Sequence, residues 1–149
     1  MLKRDLLRNV IIVAVLLAIL VGLRLFVYTP YRITKQDANS FLAENDLVLA
    51  DKTAKLARGE FALYEVDGKE YVGRVIAREN DKVTYMDNLL YLNNQVQSEE
   101  YIEKMREKYL ASAASTGYYT HDFSVVDLKG ATSDTIPKNS FLILNDRRE

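Results

Sequence analysis

Apolar and polar residues alternate in different ways in the first 30 residues and in the remainder of this 149-residue chain. An uncharged apolar run extends from Val10 to Leu23 and continues beyond Arg24 from Leu25 to Tyr28. A helix of about 19 residues at 1.5 Å rise per residue is roughly 28 Å long, which is enough to cross the hydrocarbon core of a bilayer. The pattern therefore predicts a transmembrane anchor over residues 10–28.

A cleaved signal peptide is the alternative interpretation of this apolar run. Cleavage sites carry small residues after the apolar segment. Here the run is followed by Arg24, Leu25, Phe26, Val27 and Tyr28, none of which is small. We therefore expect an anchor that stays attached.

After Pro30, which is expected to end the helical run and begin a short extended linker, the pattern changes to short apolar or alternating segments separated by turn residues. Asp67-Gly68 between two such segments predicts a tight hairpin turn, and Asp87-Asn88 and Asn93-Asn94 are weaker signals of the same kind. The segments predict a mainly β domain with strands over Leu47–Ala50, Phe61–Val66, Lys69–Ala77, Lys82–Met86, Leu89–Leu92, Phe123–Leu128 and Phe141–Leu144.

One short helix is predicted to interrupt the strands. Ser98 is a candidate N-cap, and Glu99 and Glu100 suit the positive end of the helix dipole. Apolar residues then recur on one face, at Ile102, Met105, Tyr109 and Leu110. The expected fold is mainly β with one inserted helix, preceded by a single N-terminal transmembrane helix.

Composition removes several classes of function. The net charge of -1 without a basic cluster argues against a nucleic-acid partner, because binding phosphates requires grouped Lys or Arg. The chain has no Cys and a single His, His121, so we expect no disulfide, no thiol nucleophile, no metal site and no cofactor.

Two segments of the chain contain the candidate catalytic positions. The first runs from Ile33 to Asp46 and the second from Tyr71 to Ile76. They resemble two boxes of the bacterial type I signal peptidases, V-x-G-x-S-M-x-P-T-L-x-x-G-D and Y-V-K-R-V-I. The resemblance implies that the family's nucleophilic serine falls on Asp37 and its general-base lysine on Gly73.

Three further boxes make the resemblance specific; one lies between these two segments and two follow them, which is the family's order. Arg58-Gly59-Glu60-Phe61 is similar to R-G-D-[IV], Leu90 to Asn94 to L-Y-I-N-G, and Phe141 to Arg148 to Y-F-V-L-G-D-N-R, in which Asn145 stands in place of a glycine. The resemblance implies a signal-peptidase-like fold whose framework residues are Leu42, Asp46, Arg58, Gly59, Arg74, Asp146 and Arg148.

The residues at the two dyad positions do not suit the family's mechanism. A serine–lysine dyad needs a neutral amine to accept the hydroxyl proton as the oxygen attacks the carbonyl carbon. Asp37 is a carboxylate, and Gly73 has no side chain. Ser40 and Lys69 are the neighbouring candidates for a shifted centre, but Lys69 lies four residues along the same strand, roughly 13 Å from position 73. The sequence therefore favours a protein without catalytic residues.

A substrate cleft does not require the dyad, because the family holds its substrate as an extended strand through main-chain hydrogen bonds. We expect the Asp37 carboxylate to lie unpaired in this cleft and to favour a partner that carries a lysine. The predicted partner-binding residues are Ile33, Asp37, Ala38, Tyr71, Val72 and Gly73.

Both dyad replacements resemble those of degenerate signal-peptidase-like proteins encoded with the pili of Gram-positive cocci. The leading hypothesis is therefore a non-catalytic membrane protein that assists pilus assembly by binding pilin or its sortase. The alternatives are an active signal peptidase with a shifted centre and a membrane-tethered scaffold. We predict a cytoplasmic flank over residues 1–9, the anchor over 10–28, and an extracytoplasmic signal-peptidase-like β domain over 29–149.

Overall fold

The computed structural model describes residues 2–148, with side chains from Arg4 onward, and divides them into two compact units. The first unit comprises the residues up to Arg32 together with Leu47–Lys55. The second comprises Ile33–Asp46 and the residues from Leu56 onward. Strand pairing across the chain is antiparallel, and the mainly β fold with one N-terminal apolar helix and one short second helix confirms the predicted fold class.

The first unit consists of helix α1 (Leu2–Phe26) and two paired strands, β1 (Tyr28–Arg32) and β2 (Leu47–Asp51). Within α1, residues 4–26 have a mean hydropathy of 2.7, and no residue of their apolar window is buried inside the protein. A helix that is apolar on all sides is stable where lipid surrounds it. Its length and composition therefore make α1 a candidate membrane span.

The extended linker predicted after the helix is instead a paired strand. Helix α1 ends at Phe26, and Pro30 lies within β1 opposite Leu49 of β2. A two-stranded ribbon tolerates a proline, because each strand has one edge without ladder hydrogen bonds. Val27, which joins α1 to β1, is held by Lys52, whose backbone N–H donates to the Val27 carbonyl at 2.8 Å.

The second unit contains two small sheets and helix α2 (Glu100–Leu110). One sheet has the strand order β3-β4-β9 and the other β7-β6-β5-β8. The strands are β3 (Phe61–Val66), β4 (Lys69–Arg78), β5 (Val83–Met86), β6 (Leu89–Leu92), β7 (Gln95–Gln97), β8 (Phe123–Ser124) and β9 (Phe141–Leu144).

The tight turns predicted from residue pairs are confirmed. Asp67 and Gly68 join β3 to β4 with φ angles of 51° and 76°. Asp87-Asn88 and Asn93-Asn94 join the next strands and also adopt positive φ at both residues. Asn and Asp tolerate this left-handed conformation, so the hairpins could be located from the sequence.

Three local predictions were wrong. The strand expected over Phe123–Leu128 ends at Ser124, because a capping box between Ser124 and Asp127 begins a short 3₁₀ helix over Val125–Asp127. Strand β7 was not predicted, since Gln95–Gln97 has a single apolar residue, Val96, and all three residues are exposed. Ser98 does not cap α2; Glu99 occupies that position and makes no capping bond.

The core of the second unit lies between residues of β4 to β6 and the late segments of the chain. Its largest fully buried member is Tyr85 on β5, which stacks on Phe123 with ring centroids 5.1 Å apart. The core also takes in a buried residue, Ile136, from the loop before β9. Its buried members are Ile76, Ala77, Val83, Tyr85, Leu90, Leu92, Val125, Ile136 and Leu142.

Candidate functional site

Asp37 lies in a loop whose two ends are tied together. The backbone N–H of Ile33 donates to the Asp46 carbonyl at 2.9 Å, and the N–H of Asn45 donates to the Ile33 carbonyl at 2.9 Å. Between these ends, the chain turns at Thr34, whose carbonyl accepts a hydrogen bond from the backbone N–H of Asp37 at 3.2 Å. The fold of the loop directs Asp37 inward, where only 3% of the residue is exposed.

The Asp37 carboxylate fastens this loop to strand β4. Oδ1 accepts a hydrogen bond from the backbone N–H of Val72 at 3.0 Å. Oδ2 accepts from the Thr34 hydroxyl and, at 3.3 Å, from the Thr34 N–H. Asp37 is therefore held against the residue that precedes Gly73, so the structure brings the two predicted dyad positions together.

The backbone N–H of Val72, which donates to Asp37, lies on the edge of β4 that faces away from β3. Only part of this edge is paired with another strand. Strand β3 pairs with β4 from Lys69 to Arg74, whereas β9 covers the opposite edge only from Arg74 onward. Among the described strands, none pairs with that edge at Val72. An edge of this kind can accept an added strand. One donor on this edge, the Val72 N–H, is already hydrogen-bonded to the Asp37 side chain.

The space beside Gly73 is filled by neighbouring side chains. A Cβ atom placed on Gly73 would lie 2.7 Å from Ile143 Cγ2, 3.0 Å from Tyr64 Cε1 and 3.0 Å from Asn145 Oδ1. The Tyr64 hydroxyl donates to Asn145 Oδ1 at 2.9 Å, which holds these two side chains together. Position 73 therefore has no room for a longer side chain in this packing.

Tyr64 is the titratable group that packs beside Gly73, and it does not suit the role of a general base. Burial raises the pKa of the Tyr64 phenol, and the nearby Asp37 and Tyr71 raise it further. A phenol whose pKa lies above its usual value near 10 is protonated at neutral pH. Tyr64 can therefore donate a hydrogen bond but does not accept a proton from a nucleophile.

The residue after Gly73 belongs to a buried ion pair. Arg74 donates from Nε to Asp146 Oδ1 at 2.9 Å and from Nη2 to Oδ2 at 2.6 Å, and its Nη1 donates to the Gly59 carbonyl at 2.8 Å. The guanidinium also lies 4.2 Å from the ring centre of Phe61 and 4.1 Å from that of Tyr101. Three predicted framework residues therefore meet at one point.

Two further ion pairs hold the remaining framework arginines. Arg58 donates from Nε to Asp81 Oδ2 at 3.0 Å, and Arg148 donates from Nη2 to Glu99 Oε1 at 2.8 Å. Burial acts to raise the pKa of Asp81, but hydrogen bonds from the backbone of Arg78 and from the side chains of Arg58 and Asn93 lower it overall. Each predicted framework arginine thus has an acidic partner.

Comparison with known proteins identifies the family. The model of the family described as signal peptidase, peptidase S26, matches residues 6–149. The chain belongs to this signal peptidase family. It is 33% identical over 154 residues to signal peptidase IB of Staphylococcus aureus strain Mu50, an alignment that covers 99% of this chain and 78% of the relative. It is also 27% identical over 139 residues to signal peptidase I of Bacillus caldolyticus, covering 90% of this chain and 72% of the relative.

A solved signal peptidase has a similar fold. The crystal structure of a signal peptidase I from Enterococcus faecalis V583 superposes with a TM-score of 0.55 and 27% sequence identity, covering 64% of this chain and 80% of that chain. The resemblance found in the sequence boxes is therefore confirmed at the level of the family and the fold.

One expectation about this signal peptidase centre was wrong. The carboxylate of Asp37 was expected to be unpaired in an open cleft, but it accepts hydrogen bonds from Val72 and Thr34 and is almost fully buried. A carboxylate that is already hydrogen-bonded has less to gain from an incoming cation. The Asp37 carboxylate therefore does not favour a lysine-bearing partner.

The predicted partner-binding residues differ in their accessibility. Ile33, Val72 and Gly73 are buried together with Asp37, whereas Ala38 and Tyr71 are partly exposed. Any contact with a peptide would therefore use the backbone edge of β4 and the side chains of Ala38 and Tyr71.

Sequence reasoning missed the residues that close this signal peptidase centre, namely Thr34, Tyr64 and Ile143. Asn145 did carry a signal, because it stands where the family's last box has a glycine. The unusual side chain at position 145 could have suggested that something fills the space that the family leaves open. Tyr64 and Ile143 gave no such signal, since aromatic and β-branched residues are ordinary in strands.

Proposed function

We propose that this member of the signal peptidase family is non-catalytic and assists pilus assembly by binding pilin or its sortase along the edge of β4. The observation that carries the proposal is the state of the two predicted dyad positions. The Asp37 carboxylate is hydrogen-bonded to Val72 and Thr34, and a side chain at Gly73 would meet Ile143, Tyr64 and Asn145. Neither position offers the hydroxyl nucleophile or the amine base that the family's dyad requires.

The pilus assignment has a separate support. The combination of Asp37 and Gly73 resembles the replacements in degenerate signal-peptidase-like proteins encoded with the pili of Gram-positive cocci. An extended segment of a secreted subunit suits the unpaired edge of β4, because such edges bind strands through main-chain hydrogen bonds.

Catalysis is tested with the full chain reconstituted in proteoliposomes and a synthetic signal-peptide substrate. We expect no specific product above a protein-free control. An Asp37→Ala variant is the matched control, because it removes the carboxylate without supplying a nucleophile. A product formed by the wild-type chain at one defined bond would overturn the non-catalytic assignment.

Partner binding is tested by immobilising the full chain in detergent and measuring the affinity for purified pilin and for purified sortase. Tyr71→Ala should weaken binding, because Tyr71 is partly exposed on β4 next to the Val72 edge donor. Tyr118→Ala is the control, since Tyr118 is 41% exposed but lies outside the predicted cleft. Equal affinity for both variants, or no binding at all, would instead favour a scaffold with an unused cleft.

We further propose that α1 crosses the cytoplasmic membrane once and leaves the β-rich part outside the cell. The natural absence of cysteine permits a direct test. In intact cells, a membrane-impermeant maleimide should label Ser112→Cys but should not label Arg4→Cys, since both positions are exposed on the protein. The reverse labelling would invert the orientation.

An active signal peptidase is the second candidate, favoured by the 33% identity to signal peptidase IB that extends over nearly the whole chain. It would need a nucleophile other than Asp37. Ser40 is exposed in the same loop, so loss of cleavage in a Ser40→Ala chain would assign the activity to a shifted centre.

A further inference from the structure

The packing around Gly73 determines more than the absence of an amine at that position. Its φ angle is not in the left-handed region, so the backbone does not require glycine there. What excludes a side chain is space, because the nearest atom would lie 2.7 Å from a Cβ, closer than real Cβ contacts occur. The question is therefore whether the surrounding atoms can move.

The three atoms nearest to this position come from both sides of β4. Tyr64 lies on β3, which pairs with β4, and Ile143 lies on β9, where it is opposite Val75 of β4. Asn145 follows β9 directly and accepts the hydrogen bond from the Tyr64 hydroxyl. The nearest atom, Ile143 Cγ2, is bonded to a branched Cβ, so it can withdraw only by a change of its restricted χ1 rotamer or by a shift of β9.

We infer that Tyr64, Ile143 and Asn145 form a plug that fixes glycine at position 73 and, together with the Asp37 bonds, determines that the family's reaction does not occur here. The inference rests on the proposed non-catalytic function and deepens it. It names three determinants beyond the two dyad positions. Replacing Asp37 by serine and Gly73 by lysine would therefore place the lysine stem against occupied space.

The first test is a double-mutant cycle on the full chain in detergent, with the thermal unfolding midpoint as the readout. Gly73→Ala should lower the midpoint by about 5 °C or more, as overpacking does in a close-packed interior. Gly22→Ala is the matched control, because its added Cβ meets nothing within 4 Å and its φ is also ordinary. That control should shift the midpoint by less than about 2 °C.

Repeating Gly73→Ala in an Ile143→Ala chain tests whether the plug causes the lowered midpoint. Ile143→Ala removes the closest atom, so adding Gly73→Ala to it should cost no more than half of the shift seen in the wild-type chain. Tyr64→Ala provides a second background should the Ile143→Ala chain fail to fold. An unchanged midpoint for Gly73→Ala alone, or an equal shift with and without the neighbouring change, would overturn the inference.

A second test uses the Asp37→Ser and Gly73→Lys double variant with a signal-peptide substrate. We expect a lowered midpoint and no product above that of the wild-type chain. Specific cleavage at a wild-type midpoint would overturn the inference, because it would mean that the lysine has room. Cleavage by the wild-type chain would instead reject the proposed function. The double-mutant unfolding cycle would still show whether Tyr64, Ile143 and Asn145 exclude a side chain at position 73.

Discussion

The predicted dyad centre and the framework ion pair are adjacent on β4, at Gly73 and Arg74, yet they are built in opposite ways. Arg74 keeps a bidentate partner in Asp146, with both side chains buried. Gly73 has neighbours that occupy the volume of a side chain, and Asp37 is held by backbone and hydroxyl donors. The comparison shows that two neighbouring positions of one strand are determined by different interactions, Arg74 by paired charges and Gly73 by packing.

The physical reason lies in what each change leaves behind. Removing one member of a buried ion pair leaves an uncompensated charge, which costs about 3–5 kcal/mol. Removing a reacting group costs little if packing fills the space and donors satisfy any new polar atom. The packing around Gly73 and the donors to Asp37 meet both conditions, so the proposed replacement of the dyad would cost the fold little.

The largest expected effect comes from breaking the framework pair. Asp146→Ala should lower the free energy of unfolding by about 3–5 kcal/mol, because Arg74 would remain buried without its carboxylate. Urea unfolding of the full chain in detergent measures this loss. Removing both charges with Arg74→Met and Asp146→Leu should recover part of it. A loss below about 1 kcal/mol for Asp146→Ala would show that the framework pair is not a stability determinant.

A smaller loss is expected from the centre itself. Asp37→Ala should cost about 1–3 kcal/mol, since the Val72 N–H would lose its acceptor inside the protein. Asp37→Asn retains an acceptor oxygen and should cost less. Amide hydrogen exchange at Val72 provides a local readout, and it should speed up in Asp37→Ala and change little in Asp37→Asn. Unchanged exchange in both variants would contradict the fastening role of Asp37.

The smallest loss of stability should come from breaking the Arg58–Asp81 ion pair, which is more exposed than Arg74–Asp146. This loss should depend on pH. The folded-state pKa of Asp81 lies below its ordinary value of 3.8, so this carboxylate stabilises the fold above about pH 4, and that contribution is lost as the pH falls through the folded pKa. Asp81→Asn should cost about 1–2 kcal/mol at pH 7.

The same pair of chains gives the control for this pH effect. The difference in unfolding free energy between the wild-type and Asp81→Asn chains should shrink as the pH is lowered below about 4. Urea titrations at a series of pH values measure it. A difference that stays constant down to pH 2 would mean that the pKa of Asp81 is not lowered by folding.

Much of the fold could be predicted because its signals are local. Strands β3 and β6 and the hairpin at Asp67-Gly68 follow from alternation and from residues that tolerate positive φ. Strand β7 and the end of β8 could not be predicted in this way. A three-residue edge strand with one apolar residue is too short to show a pattern, and a capping box competes locally with strand extension.

For the candidate site, the sequence located the residues but not their environment. The order of the boxes identified Asp37 and Gly73 as partners that are far apart in the chain, and the structure places Asp37 against Val72. The assumption that the Asp37 carboxylate would be unpaired failed because its donors, Thr34 and Val72, come from a turn and a strand edge. Neither donor can be recognised from residue type alone.

The sequence by itself determined the apolar span, the mainly β character and the family, because these depend on periodicity, turn residues and the order of short boxes. The tertiary structure alone decided that the predicted centre is closed. Tyr64 lies on the hairpin partner of β4, which the sequence predicts, but only the pairing of the distant strand β9 with β4 brings Ile143 onto Gly73 as well. Close packing between strands distant in the chain is what sequence patterns do not record.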